Sequence, residues 1–400
     1  MRRWTMGCVL AVIMSPAVAD RQDDFRACLD ELTRRARAEG ISRATLGREL
    51  AGLEADFSVL ERLDYQPEFR SPIWDYLGAL VDEQRIADGR AQLLAHADTL
   101  AEIERRYGVD PATVVAVWGV ESDYGKNFGT RDLLSSLGTL SCFGRRQTYF
   151  RGEFIAALGI VDEGSLAADK LKGSWAGAFG HTQFMPSTYR RLAVDFDGDG
   201  RRDLVDSVPD ALASTANFLR DAGWRSGEPW GFEVRVPPGL DFDGEGRKAR
   251  RSFAEWARRG VARVDGGELV PATAQAGLVR PADGGGPAFL LLKNFDAIYA
   301  YNASMSYGLA IAHLSDRLRG GGDFVTPWPT DDLPLDRAQR RELQRLLLAR
   351  GHDIGPVDGA IGSRTRAAIL VEQRRLGWED DARAGQKLLR ALRKGPATGD

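Results

Sequence analysis

The sequence predicts a mainly α-helical protein of the α+β type, with one small β region and a separate helical module near its C-terminal end. Three observations carry that expectation. Long stretches rich in Ala, Leu, Arg and Glu repeat apolar residues at three- and four-residue steps, the period of an α-helix. One interval, from Gly231 to Pro287, is instead rich in Val, Gly and Pro, the signature of short strands and turns. A Gly- and Pro-rich segment, Gly320 to Pro334, then sets off a compact helix–turn–helix pattern.

The chain has 400 residues, enough for two or three domains. It opens MRRWTMGCVLAVIMSPAVAD. Arg2 and Arg3 form a basic start, Cys8 to Met14 is short and apolar, and Ala17-Val18-Ala19 offers the small residues a signal peptidase reads. Residues 1–19 are therefore expected to be a cleaved leader, and the mature protein to be soluble and periplasmic. The apolar run is too short to span a bilayer. Cys8 raises a lipid anchor as a rival, but the apolar segment mostly follows it, which argues against one. Cys28 and Cys142 then remain. With no metal-type spacing, and in a compartment that permits disulfides, one bridge is the simplest expectation; two buried free thiols are the alternative.

The helical stretches follow in order. FRACLDELTRRARAEG ends at Gly40, and DEQRIADGRAQLLAHADTLAEIERRYG forms a second region. Val114 to Ile160 is helical with loops, and Pro209 to Ala222 is a further helix. After the β region, helix returns over NFDAIYAYNASMSYGLAIAHLSDRL. Residues 20–319 are expected to form one catalytic-sized region, 320–334 a flexible linker and 335–393 a small module. A net charge of -3 and a pI near 6.0 lack the basic face of a nucleic-acid-binding protein, so no nucleic-acid partner is expected.

The segment VVAVWGVESDYG, Val114 to Gly125, places a carboxylate where an apolar pattern asks for a core residue. Asp110-Pro111 is a helix start, since Asp caps and Pro suits the first turn. Glu121 then falls seven, four and three residues after Val114, Val117 and Trp118, on their face of the helix. An isolated ionised carboxylate is costly there, and desolvation favours its protonated form, the state a general acid needs. A glutamate paired with an arginine, or capping a turn, fits the same spacing, and periodicity does not choose between them.

The flanking residues bear on that choice. GVESDYG, then GSWAGAFGHTQFMPSTY from Gly173 to Tyr189, then NFDAIYAYNASMSYGLAIAHL from Asn294 to Leu314, resemble in order and spacing the motifs of the lytic murein transglycosylase B family. The resemblance spans Phe25 to Arg319. It implies a lysozyme-like helical core with an added helical domain and a small β part. It also implies cleavage of the β-1,4 bond between N-acetylmuramic acid and N-acetylglucosamine in peptidoglycan, without water. The 6-hydroxyl closes onto its own anomeric carbon and leaves a 1,6-anhydro end. Glu121 is the implied catalytic residue, first acid and then base, with the substrate N-acetyl group supplying the assistance that a second carboxylate gives in ordinary glycosidases. Asp123 is not expected to be that second carboxylate, because two residues along a helix point about 200 degrees away; a helix broken at Ser122 would weaken that objection. The same matching makes Ser174, Gln183, Tyr301, Asn302 and Tyr307 candidate substrate-binding residues. Plain helix packing is the alternative for the two tyrosines. Phe218 stands where some members carry a tyrosine, and His181 has no assigned role beyond structure.

DFDGDGRRDLVD, Asp195 to Asp206, places oxygens at positions 1, 3, 5, 9 and 12 of an EF-hand calcium loop, with Gly200 at position 6. Asp195, Asp197, Asp199, Arg201 through its carbonyl, Asp203 and Asp206 are the candidate ligands of a structural Ca2+; no cofactor is expected for catalysis. A solvated acidic turn is the alternative. DFDGEGRKARRS, Asp241 to Ser252, starts alike but ends in Ala249 and Ser252, and reads as a hairpin turn.

At the C-terminal end, DGAIGSRTRAAILVEQ, with landmarks Asp358, Gly359, Gly362 and Thr365, resembles a three-helix peptidoglycan-binding module. Tethering would raise the local enzyme concentration on an insoluble substrate; a generic helical cap is the alternative. Peptidoglycan strands are the implied partner, wall-synthesis proteins are candidate protein partners, and a monomer is expected. Two rivals stand beside the leading function: a lysozyme-type hydrolase of the same bond, and a non-catalytic wall-binding scaffold.

Overall fold

The computed structural model describes residues 16–63 and 71–395. The basic and apolar parts of the expected leader, with Cys8, lie outside the described residues. In chain order the helices are α1 (Pro16–Ala38), α2 (Arg43–Glu49), α3 (Ile73–Leu80), α4 (Glu83–Ala95), α5 (Ala97–Tyr107), α6 (Pro111–Ser122), α7 (Leu133–Cys142), α8 (Gln147–Asp162), α9 (Pro186–Leu192), α10 (Val208–Asp221), α11 (Phe253–Arg258), α12 (Lys293–Asn302), α13 (Met305–Leu318), α14 (Arg337–Ala349), α15 (Ser363–Arg375) and α16 (Gln386–Arg393). The strands are β1 (Arg131–Asp132), β2 (Lys172–Gly173), β3 (Gly231–Arg235), β4 (Arg250–Ser252), β5 (Ala262–Arg263), β6 (Gln275–Val279) and β7 (Ala288–Leu291). Helix starts follow local chemistry: Ser42, Asp82, Asp110, Asp132, Ser207, Ser304 and Asp336 each accept a first-turn N–H. Among the described residues, no helix is long and apolar enough to cross a membrane.

The chain folds into two compact units. The first draws on Met1–Tyr65, Phe128–Arg191 and Gly200–Val205. Here α1, α7 and α8 pack together around Phe25, Leu32, Leu137, Phe154 and Leu158, all fully buried. Gly138 in α7 lets the Phe25 ring come close; a methyl there would lie 3.2 Å from Phe25 Cζ. Of the two states open to the cysteines, the structure has the bridge: Cys28 and Cys142 are bonded, with their Cα atoms 5.9 Å apart. β1 and β2 pair antiparallel, Arg131 opposite Gly173. The buried Glu153 of α8 accepts hydrogen bonds from the Ser187 backbone N–H (2.9 Å) and hydroxyl (2.7 Å), which fixes the start of α9.

The second unit comprises Gln66–Asn127, Leu192–Asp199 and Asp206–Asp400. Its centre is α6, surrounded by α4, α5, α10 and α13. Ala112 to Gly119 are buried on every side, as expected of a helix apolar all round. The β region is a five-stranded antiparallel sheet in the order β4-β6-β7-β3-β5. Its core is Val234, Phe253, Trp256, Leu278 and Leu290, with α11 laid against it. The Asp241 to Ser252 segment is not a hairpin turn. It leads into β4, which pairs with β6 rather than folding back on β3.

The helix expected over Asn294 to Leu318 is broken. Ala303 adopts φ 42°, and Ser304 caps a new helix, giving α12 and α13. The segment Gly320 to Pro334 also departs from expectation. It is irregular but tied down, because the buried Glu233 of β3 accepts the N–H groups of Val325 and Thr326, both at 2.7 Å. Phe324 stacks on His313 at 4.1 Å, and Trp328 packs on Trp74. Bonded backbone and seated aromatics hold it, where Gly and Pro content alone suggested a flexible tether.

Helices α14, α15 and α16 close around Leu343, Leu347, Ile369, Leu388 and Leu389. Asp358 and Gly359 form the turn between α14 and α15: Gln344 donates to Asp358 at 2.9 Å and accepts the Gly359 N–H at 2.7 Å. The module is seated on α3. Gly78 lies so close to Pro334 that a methyl would approach its Cβ to 2.7 Å, and Arg383 binds both oxygens of Asp75 at 2.6 and 2.9 Å.

Candidate active site

Glu121 occupies the last turn of α6, half-buried at the end of an otherwise buried helix. Tyr307 of α13 donates its hydroxyl to Glu121 Oε1. Helix α13 runs beside α6, so Ser304, which starts α13, sets the phenol's position. Tyr307 is only 3% exposed. Burial first, and then the negative charge of Glu121, push the Tyr307 phenol well above the ordinary tyrosine range, so it remains a proton-bearing donor.

The break at Ala303 decides how the two tyrosines meet. On one straight helix, residues six apart would not share a face. With the chain turned, Tyr301 lies over Tyr307, ring centroids 6.3 Å apart and planes 22° from parallel. Phe218 of α10 meets the Tyr301 ring, centroids 4.6 Å apart and planes tilted by 54°. Asn302 ends α12 as an exposed side chain.

Gly119 is required one turn before the end of α6. A methyl on it would sit 2.6 Å from Cζ and Oη of Tyr124, whose ring folds back over the helix and donates to the Arg85 carbonyl at 2.8 Å. Ser122 is buried and its hydroxyl accepts the Gly125 N–H at 3.0 Å. Asp123 leaves the helix with φ 53°, and Tyr124 follows with φ 59°. The Asp123 carboxylate binds both terminal nitrogens of Arg337 (2.9 and 3.0 Å) and Arg85 Nε (3.3 Å). Burial opposes its charge, but the Arg337 hydrogen bonds and the charges of Arg85 and Arg337 outweigh it, holding the carboxyl below the ordinary range. Asp123 is thus an ion-paired carboxylate and no source of a proton at neutral pH.

Ser174 and Gln183 sit in the first unit. The Ser174 hydroxyl accepts the Ala178 N–H at 3.1 Å inside its own turn. Gly173 has to be glycine, since a methyl would lie 2.0 Å from the Ala178 carbonyl oxygen. Gln183, at φ 51°, donates from Nε2 to the carbonyls of Gly180 (2.9 Å) and Phe128 (3.1 Å), which fixes its amide and directs its oxygen as the acceptor. His181 is held by its backbone N–H to Leu204 O at 2.8 Å, and its ring meets Phe128 edge-on at 4.7 Å.

In the acidic loop, ligand atoms of Asp195, Asp197 and Asp210 lie within 4.8 Å of one another. Asp195 Oδ1 accepts the Gly198 N–H at 2.8 Å, and Asp197 accepts the Asp199 N–H and the Ser207 hydroxyl. Asp199, Arg201, Asp203 and Asp206 are not members of that trio, and Arg201 and Asp203 belong to the other unit. Asp210, outside the twelve-residue loop, was not expected from sequence; it is fully buried and accepts the N–H groups of Phe196 (2.7 Å) and Asp197 (3.3 Å). An all-oxygen, acidic donor set suits a hard cation such as Ca2+.

Comparison with known proteins gives concordant results. The profile described as Transglycosylase SLT domain matches residues 24–316, and that described as Putative peptidoglycan binding domain matches 336–392. Membrane-bound lytic murein transglycosylase B of Escherichia coli (strain K12) is 32% identical over 287 residues, 69% of this chain and 78% of that one. SltB3 from Pseudomonas aeruginosa, solved in complex with NAG-anhNAM-pentapeptide and with NAG-NAM-pentapeptide, is 47% identical; the match covers 92% of this chain and 99% of that one, with a TM-score of 0.74. The Escherichia coli lytic transglycosylase Slt35, solved in complex with calcium, is 30% identical over 74% of this chain and 93% of that one, with a TM-score of 0.64. The lysozyme-like helical fold expected from the motifs is that of these relatives. The chain belongs to the transglycosylase SLT family, in its lytic transglycosylase B branch, and carries a C-terminal peptidoglycan-binding domain.

Proposed function

We propose that this peptidoglycan lytic transglycosylase uses Glu121 as its only acid and base. The observation that carries this assignment is the Tyr307 hydroxyl on Glu121 Oε1, at the end of the buried helix α6. With Oε1 accepting from the phenol, the transferable proton belongs on Oε2. In the first step that proton goes to the glycosidic oxygen, the bond from muramic acid C1 to that oxygen breaks, and the leaving N-acetylglucosamine departs with a free 4-hydroxyl. The substrate N-acetyl oxygen bonds to C1 as the old bond breaks. In the second step the Glu121 carboxylate takes the proton of the 6-hydroxyl, O6 bonds to C1, and the N-acetyl oxygen is released. Glu121 ends protonated as it began, and no water is consumed. Asp123 takes no part, since its charge is committed to Arg85 and Arg337.

The half-buried Tyr301 and Phe218 offer apolar ring surface beside which a sugar can pack, and the exposed Asn302 offers hydrogen bonds to its polar groups. Gln183 offers a carbonyl oxygen to an N-acetyl N–H. Ser174 contributes mainly by shaping its turn, because its hydroxyl is bonded there.

The acidic loop is read as a structural Ca2+ site. Asp195, Asp197 and Asp210 would hold the ion, which would offset their mutual repulsion; nothing in the reaction needs it. The bound calcium of Slt35 supports this reading. Peptidoglycan lies outside the cytoplasm, so the enzyme works there, and the leader would deliver it to the periplasm.

Mass spectrometry of digested peptidoglycan tests the chemistry. Anhydro ends are expected; reducing ends that have gained water would instead identify a hydrolase. Glu121→Gln is expected to abolish turnover and retain wall binding, and turnover at the unmodified rate would remove Glu121 from the mechanism.

A further inference from the structure

The peptidoglycan-binding module is conventionally a tether, and a tether needs no contact with the chemistry. In this chain the module reaches the end of the catalytic helix. Arg337 is the first residue of α14, and its side chain is 13% exposed. Both of its terminal nitrogens are spent on Asp123, two residues beyond Glu121. The same guanidinium faces Asp82, Nε to Oδ2 at 3.5 Å. Asp82 caps α4 through Oδ1, and its Oδ2 is buried with no hydrogen bond among the described residues. Arg340, one turn on, donates to the carbonyl of Gly78 at 3.2 Å and lies 3.8 Å from the same Asp82 oxygen. Two carboxylates of the catalytic part, the buried Asp82 and the partly buried Asp123, are therefore neutralised by arginines of the module, and Arg85 also reaches Asp123.

The backbone shows what this contact holds. Asp123 and Tyr124 are consecutive non-glycine residues in the left-handed region, a conformation that persists only where the surroundings over-determine it. The Tyr124 ring is fixed by Gly119 and by its bond to Arg85 O. Asp123 is fixed by the planar fork of Arg337, a two-point grip that a single ammonium cannot reproduce. If the fork is removed, the Asp123 carboxylate keeps one 3.3 Å bond to Arg85, and the last turn of α6, with Glu121 on it, loses a two-point side-chain anchor.

We propose that Arg337 is a positioning residue for Glu121, acting through Asp123, so that the module's seating sets the geometry of the catalytic acid. This rests on the assignment of Glu121 given above. A tether alone changes the encounter with an insoluble wall; a positioning contact changes turnover even on a soluble glycan.

The test uses full-length protein and two substrates, a soluble uncrosslinked glycan fragment and insoluble sacculi. Arg337→Ala is expected to lower kcat on the soluble glycan by about tenfold to a hundredfold, the scale of a misplaced reacting group, with KM changed less than about twofold. Arg337→Lys keeps the charge without the fork and is expected to recover only part of the loss. Arg383→Ala, which cuts the Asp75 pair on the same seating surface, is expected to leave kcat on the soluble glycan unchanged. The inference is overturned if Arg337→Ala keeps kcat on the soluble glycan and loses rate on sacculi alone, the result for a tether. It is equally overturned if Arg383→Ala lowers kcat as much, with matching falls in melting temperature, the result for general loosening. Glu121→Gln run alongside separates the two claims, because its retained turnover would refute the acid assignment whatever Arg337 does.

Discussion

Replacing Tyr307 with phenylalanine isolates one interaction. The ring stays, and with it the stacking on Tyr301 and the packing of a side chain only 3% exposed. What goes is the O–H donated to Glu121 Oε1. A hydrogen bond to a charged group is worth about 1.5–3 kcal/mol. The phenol binds the carboxylate that forms after the first proton transfer, so this energy is expressed in the barrier. At about 1.4 kcal/mol per tenfold, kcat should fall by roughly ten- to just over a hundredfold. The melting temperature should move little, because the half-buried Glu121 can take water in place of the phenol. The assay is release of anhydro-muropeptides from soluble glycan, counted by mass spectrometry, with calorimetry in parallel. The Tyr307 phenol ionises only well above the ordinary tyrosine range, so it stays a donor from pH 5 to pH 8. A Tyr307→Phe enzyme within twofold of the unmodified kcat, equally stable, would refute the placement of the catalytic hydrogen bond.

Three further outcomes are expected. Gly119→Ala should lower the melting temperature by several degrees, since its methyl meets the Tyr124 ring at 2.6 Å and such overpacking costs about 1–3 kcal/mol; a rise, the usual result of Gly→Ala within a helix, would contradict the crowding. Asp123 faces Arg85, Lys126 and Arg337, with Asp82 and Asp88 nearby, and its folded carboxyl is held below the unfolded value of 3.8. Its contribution to stability is therefore present above that value and lost as pH falls through the folded one. Asp75 runs the other way, because burial raises its carboxyl despite Arg383. Calorimetry between pH 3 and pH 5 should show a shallower loss of stability on acidification in Asp123→Asn than in the unmodified protein; identical slopes would remove Asp123 from the balance. Chelator should lower the melting temperature and added calcium restore it, and no response to either would make the Asp195–Asp206 loop a solvated turn.

The sequence made α6 readable because its signals are local. Asp110 and Pro111 start it, Val114 and Val117 mark its buried sides, and Glu121 stands where a side chain must be either buried or useful. The motif matches extended this to Tyr301 and Tyr307, but not to the way they meet. The turn between them is an alanine at φ 42°, a conformation sequence does not advertise. Ser304 is a legitimate N-cap signal that a continuous apolar pattern concealed. For Asp123 the helical expectation reaches only as far as the helix does. Helical geometry aimed it away, whereas in the fold it leaves the helix altogether and spends its charge on arginines 38 and 214 residues distant. No local pattern encodes such pairs. Asp210 lies four residues past the loop that defines an EF-hand, so the motif could not include it. The linker misled because composition records flexibility that Glu233 and two aromatic side chains then remove.

The bridge between Cys28 and Cys142 spans 114 residues, and all of α2 to α6 is encoded inside that interval. At about 5–20 residues per second, a growing chain exposes the first thiol on the order of ten seconds before its partner exists. During that wait the helix that carries Glu121 is made, while α13, which brings it Tyr307, is still more than 150 residues from synthesis. A chain that ends before Tyr307 therefore lacks the Glu121–Tyr307 hydrogen bond.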